Sequence, residues 1–239
     1  SGAKSSYGAA LPIYREIGDR LGEANCLRSL GDLQMRMSDL SGAKSSYGAA
    51  LPIYREIGAR LGEANCLQSQ GLLVLIEGKP VEAFRKFLEV RAIFESIQDG
   101  LGQQAALGYL ARTANAANAA DQALLLAEAS LDIGRKIGDR FGQSITLQLQ
   151  LGIWQNANEI MPFLAVLMLL RDLLAQIGNP RQAAQYAAAL EQIQSQLPPE
   201  AFQAVEADPE SIRSAAIAEA RERFAKTGRD LLDPPPEPE

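Results

Sequence analysis

Apolar side chains recur every third or fourth residue over most of the chain, the spacing that lines one face of a helix. Between Leu21 and Met37 they fall at Leu27, Leu30, Leu33 and Met37. Between Ser41 and Ile57 they fall at Ala43, Tyr47, Ala50, Leu51, Tyr54 and Ile57. The two stretches predict an antiparallel helix pair joined by a short loop. Gly58 predicts a left-handed residue closing the second helix. Asp19, Asp99 and Asp139, just after that slot in three places, are positioned to accept from the free N–H groups of the next helix. Pro52 falls inside the second stretch, where its missing N–H predicts a bend or a fresh helix start.

The pair repeats. Residues 1–27 recur at 41–67 with one change, Asp19 becoming Ala59, so the period is 40. Ile17-Gly18-Asp19-Arg20 is answered at Ile57, Ile97, Ile137 and Ile177, and Gly22, Gly62, Gly102 and Gly142 stay in register, as do Leu27, Leu67, Leu107 and Leu147. Five periods cover 1–200. Gly31, Ala43 and Ala50 lack bulky side chains, which lets two backbones approach closely while Tyr47 fills the adjacent groove. One hairpin cannot bury its apolar face alone; stacked copies can, which predicts an all-α solenoid with a concave side lined by one helix of each pair.

Leu27-x2-Leu30-Gly31 followed by Ala43-x3-Tyr47 and Ala50 resembles the tetratricopeptide repeat (TPR) signature, as does Leu67-x3-Gly71 with Ala83-x3-Phe87. The third copy is looser, with Leu107-x2-Leu110-Ala111 and Ala123-x3-Ala127; in the fourth, Leu151 takes the small position and Phe163 replaces the alanine. The 40-residue spacing is similar to the long-helix subclass of Pins-type adaptors, kinesin light chains and the sensor arms of signalling ATPases. The resemblance implies a right-handed α-solenoid of antiparallel helix pairs that binds protein or peptide in its groove. It also implies which slots of the first helices face that groove. They are Asn25, Arg28, Asp32, Met35 and Arg36, then Asn65, Gln68, Leu72, Leu75 and Ile76. The third period offers Ala105, Gly108, Arg112 and Asn115, and the fourth Ile145, Gln148, Gln155 and Asn156. Asn and Gln can hydrogen-bond a peptide backbone, Arg can fork onto a carboxylate, and Leu72, Leu75 and Ile76 can seat an apolar side chain. The segments 21–37, 61–77, 101–117 and 141–157 contain no lysine, so the lysine clamp of chaperone-tail-binding TPRs is not expected, although Arg28, Arg36 and Arg112 would favour an acidic peptide.

The expected organisation is a repeat array over 1–200 that begins in the second helix of a period, as a piece of a longer array would. C-terminal capping helices follow over 201–228, with Asp208-Pro209-Glu210 as a start, and then an acidic Pro-rich tail over 229–239.

Composition narrows the chemistry. The chain has 239 residues, no histidine, two cysteines and a formal net charge of -6, which removes histidine catalysis, histidine metal sites and a disulfide-rich scaffold. Acidity is concentrated after Met161, and no Lys/Arg cluster suits a phosphate backbone, so no nucleic-acid role is expected. The greasiest segment, 160–170, stops at Arg171-Asp172, short of the ~20 apolar residues that a membrane span needs. Cys26 and Cys66 share one slot a period apart, about 8–10 Å by helix-packing distance. That is beyond disulfide reach, so two reduced, semi-buried thiols are expected. Glu16, Glu23, Asp32 and Glu56 read as solvated helix faces with no nucleophile–base arrangement, and no phosphate loop is present. No enzyme, cofactor or metal site is expected.

Residues 160–174 are apolar almost all round, which predicts a helix covered by those from 181 onward, or alternatively a partner or homodimer surface. The resulting reading is a cytoplasmic protein-interaction scaffold. The alternative is a sensor arm of a larger signalling ATPase or transcription regulator.

Overall fold

The computed structural model describes residues 2–227 and 230–232. Most of the expected Pro-rich tail, 233–239, lies outside them. Twelve helices follow one another in the described residues: α1 (Gly2–Glu16), α2 (Arg20–Arg36), α3 (Leu40–Glu56), α4 (Arg60–Ile76), α5 (Pro80–Ser96), α6 (Gly100–Ala116), α7 (Ala120–Ile137), α8 (Arg140–Ala157), α9 (Ile160–Gln176), α10 (Pro180–Gln194), α11 (Pro199–Ala207) and α12 (Pro209–Thr227). There is no strand among them. Residues 1–102 and 103–239 form two compact units, each of them a stack of antiparallel helix hairpins.

The loops explain the regular spacing. A left-handed residue closes a helix every twenty residues: Gly18, Ser38, Gly58, Gly78, Gln98, Asn118, Gly138, Asn158 and Gly178 all have positive φ. Gly58 is where the sequence places it. At Gln98 (φ 56°) the same turn is made by a side-chain-bearing residue, at a cost that glycine avoids. Asp19, Asp39, Asp99 and Asp139 then accept from the N–H of Gly22, Gly42, Gly102 and Gly142 at 2.8–3.0 Å, capping the helices that follow. Ala59, which replaces Asp in the second copy, makes no such bond.

Pro12 and Pro52 do not restart their helices; α1 and α3 run through them unbroken. The residue four positions earlier, whose carbonyl a proline leaves without a partner, is Gly8 or Gly48. Both are exposed glycines with nothing nearby, so that carbonyl can turn to water.

In the first unit the core is built of Ala24, Leu27, Ala43, Tyr47, Ala50, Ile53, Tyr54, Cys66 and Leu73. Close approach is enforced where a Cβ on Gly31 would lie 2.6 Å from the Tyr47 ring, and one on Gly71 2.8 Å from Phe87. The duplicated segments repeat their ion pairs: Arg15 reaches Glu23 at 2.8 Å, and Arg55 reaches Glu63 at 2.9 Å. Arg15 and Arg20 together hold the Glu23 carboxyl below its ordinary range against the opposing effect of burial.

In the second unit α9 is the centre. Leu164, Ala165, Leu167 and Met168 are buried with Leu190 of α10 and Phe202 and Val205 of α11. α12 lies against α7 and α9. The surface on which a homodimer through 160–174 would rest is therefore largely taken up within the chain. Arg213 of α12 is 1% exposed and is held by Glu128 of α7 and Glu210, with Gln150 of α8 accepting at 3.4 Å. Arg223 pairs with Asp121 at 2.8 Å, and Gln122 bonds Asp230 and the Leu231 N–H.

Candidate functional site

The slots expected to face a groove lie on the first helix of each hairpin. In the first unit, α2 and α4 carry ten of them, and the α2 set is partly committed to the fold. Asp32 accepts from the hydroxyl of buried Tyr47 at 2.7 Å, from Arg28 at 3.0 Å and from Ser69 of α4 at 3.1 Å. Asn25 accepts from the Tyr54 hydroxyl at 2.8 Å. This network ties three helices through one carboxylate, and it raises the Tyr47 hydroxyl pKa, with burial the largest cause and Asp32 next. Arg28 is thereby held in an ion pair with Asp32. Arg36 is exposed at the end of α2. Asn65, Gln68, Leu72 and Leu75 of α4 are half-buried, and Ile76 is 61% exposed.

In the second unit, Arg112 of α6 is exposed and rests over the Tyr109 ring at 6.0 Å, and Asn115 is half-buried one turn on. On α8, Gln148 lines a cleft of about 550 Å³ with Phe141, Ser144 and Ile145. The far wall is Leu174, Ile177, Gly178, Asn179 and Gln182, from the end of α9 and the start of α10. Phe141 is 68% and Ile145 51% exposed. Gln155 lines a second, smaller cleft of about 260 Å³ with Trp154, Asn158, Glu159, Ile160 and Phe163, and Asn156 is exposed beside it.

No protein-family model matches the sequence, and neither does any curated protein. Solved structures do match in shape. The chain is similar to RapI in its apo form, with a TM-score of 0.70 at 15% identity, over 96% of this chain and 66% of that one. It is also similar to a Signal Transduction ATPase with Numerous Domains (STAND) protein from Pyrococcus horikoshii that carries a tetratricopeptide repeat sensor. There the TM-score is 0.64 at 12% identity, over 89% of this chain and 38% of that one. The chain has a tetratricopeptide-repeat fold. It spans just under two thirds of RapI and well under half of the STAND protein.

The TPR fold accounts for which side chains the sequence could place and which it could not. Tyr47, Tyr54 and Ser69, which organise the α2 polar network, hold core or spacer slots in the repeat pattern and carry no groove signal of their own. Phe141 shows up only as one member of the series Leu21, Leu61, Leu101 and Phe141, all of them exposed in the TPR hairpins. No group of three potential metal ligands occurs among the described residues. Cys26 and Cys66 are buried free thiols that donate to the carbonyls of Tyr7 and Tyr47 at 3.3 and 3.5 Å. Burial pushes Cys66 up to about 12. No helix of the described residues is long and apolar enough to cross a membrane.

Proposed function

We propose that the chain is a non-catalytic protein-interaction module whose first-helix faces take a peptide or helical segment of a partner protein. One observation carries the reading. In the second unit α12 packs on α7 and α9, the second helices of their hairpins, and leaves Phe141 and Ile145 of α8 exposed beside Gln148. Large apolar side chains left at a polar-rimmed cleft are what association buries. In the first unit Asn65, Gln68, Leu72, Leu75 and Ile76 supply the same mixture of amides and aliphatic surface, with Arg36 at one end. Asn25, Arg28 and Asp32 hold the α2 face in shape more than they offer it. The compartment in this reading is the cytoplasm, where both thiols stay reduced.

A second reading is a sensor arm that gates a neighbouring catalytic domain. Similarity to a STAND protein with a TPR sensor, of which this chain would cover only part, favours it. The two share the binding face and differ in whether the ligand lies on another molecule or on the same one.

The test is affinity capture from the source cell with the wild-type chain and with a variant carrying Gln68→Arg, Leu75→Asp and Gln148→Arg. Circular dichroism first verifies equal helix content. A partner retained by the wild type and lost by the variant supports the module. Equal retention by both overturns the placement on the first-helix faces.

A further inference from the structure

We infer that the cleft between α8 and the α9–α10 turn is the anchor site for a partner segment that presents a large apolar side chain flanked by acidic residues. This deepens the interaction reading and rests on it. The cleft holds about 550 Å³, in the range of pockets that enclose a ligand group, and its walls are Phe141 and Ile145 on one side and Leu174 and Ile177 on the other. Leu174 is buried and forms the floor, while Phe141 and Ile145 are exposed and form the lip. An aliphatic or aromatic side chain entering there covers apolar surface that the chain itself leaves wet.

The charge around the cleft selects the flanks. The cleft is lined from 141–148 and 174–182, and in those stretches with the residues that flank them, 136–148 and 174–185, the charged side chains are Lys136, Asp139, Arg140 and Arg181. The one carboxylate, Asp139, is turned onto the Gly142 N–H as a helix cap. Lys136, Arg140 and Arg181 are exposed, and none takes part in an ion pair among the described residues. Arg140 immediately precedes Phe141, and Arg181 immediately precedes Gln182. This local excess of cations sits in a chain whose net charge is -6. The starts of α8 and α10 both lie here, so their positive dipole ends add to the same field. Exposed cations around an apolar pocket attract carboxylates and repel lysines, and they do so less at high salt. Gln148 and the Gln182 amide nitrogen are placed to hydrogen-bond the segment's backbone. The Gln182 carbonyl is already occupied by Asn179 at 2.9 Å.

The full chain is used to select binders from a random displayed peptide library. The enriched peptides are then titrated against the wild type, Ile145→Glu, Arg140→Glu with Arg181→Glu, and a control Arg221→Glu on α12. Expected are sequences with one large apolar residue next to Asp or Glu, whose affinity falls at least about tenfold in the first two variants, falls with added salt, and is unchanged in the control. All four altered residues are exposed, so each variant keeps its helix content. Binders that lack acidic residues, or that are insensitive to Ile145→Glu, overturn this anchor and leave the interaction module standing. A chain that enriches no peptide overturns both.

Discussion

The guanidinium of Arg213 on α12 is clasped by the carboxylate of Glu128 on α7, with Nη2 3.0 Å from Oε1, and it is among the largest side chains fully removed from water. Glu210, Gln150 and Arg135 complete the cluster. Removing one member of a buried pair strands the other. Arg213→Ala is therefore expected to cost about 3–5 kcal/mol, whereas Arg213→Met with Glu128→Leu restores most of that. Urea unfolding measures both; a loss below about 1 kcal/mol for Arg213→Ala would show that α12 is not held this way.

Acid should loosen the same contact. Burial alone pushes the Glu128 and Glu210 carboxyls up, but the Arg213 hydrogen bonds and charge outweigh it and hold both below their ordinary value. A carboxyl whose folded pKa is depressed contributes stability above its unfolded pKa, and that stability is lost as pH falls through the folded one. The docking of α12 is therefore constant near neutrality and weakens from about pH 4.3 downward. Hydrogen exchange of residues 209–227 against pH reads this directly, and protection that is independent of pH down to full protonation would contradict it.

The duplicated segments contain their own control experiment. Asp19 caps α2 by accepting from Gly22 at 2.8 Å, while Ala59 leaves α4 uncapped. Ala59→Asp should stabilise the chain by about 1 kcal/mol, and Asp19→Ala should cost about the same. The two shifts in urea midpoint should be opposite in sign.

Glycines in the helices should divide by what surrounds them. Gly152→Ala meets nothing within 4 Å and gains up to about 1 kcal/mol from helix propensity. Gly31→Ala would put its Cβ 2.6 Å from the ring of fully buried Tyr47, and the strain of roughly 1–3 kcal/mol outweighs the same gain. Thermal unfolding of the two variants should move in opposite directions.

The thiols should be silent in the folded chain. With Cys66 shifted to about 12 and Cys26 also raised, both by burial, alkylation at pH 8 is expected only when the chain unfolds. Mass spectrometry of labelled protein with and without urea checks it; rapid native labelling would contradict the packing around Tyr7 and Tyr47.

The repeat was legible because each period states its own helix pair, turn and cap: Gly58, Asp139 and the Gly31–Tyr47 approach all lie within forty residues of their partners. The left-handed turns at Ser38, Gln98, Asn118 and Asn158 were hidden because side-chain-bearing residues fill slots that glycine marks elsewhere. Asp32 reads as a groove residue in the sequence, yet only geometry shows it serving Tyr47, Arg28 and Ser69 at once. The Arg213–Glu128 contact spans 85 residues between a repeat and a non-repeat segment, so no periodicity could reveal it.

Whether partners occupy the first-helix faces is tested most directly by site-specific photocrosslinking in the source cell. A photoreactive residue is placed at Gln68 or Gln148 on those faces, and at exposed Lys44 or Glu82 on the second helices. Crosslinked partners are expected from the first two positions and not from the others. Crosslinks confined to Lys44 and Glu82 would contradict a binding face on the first helices.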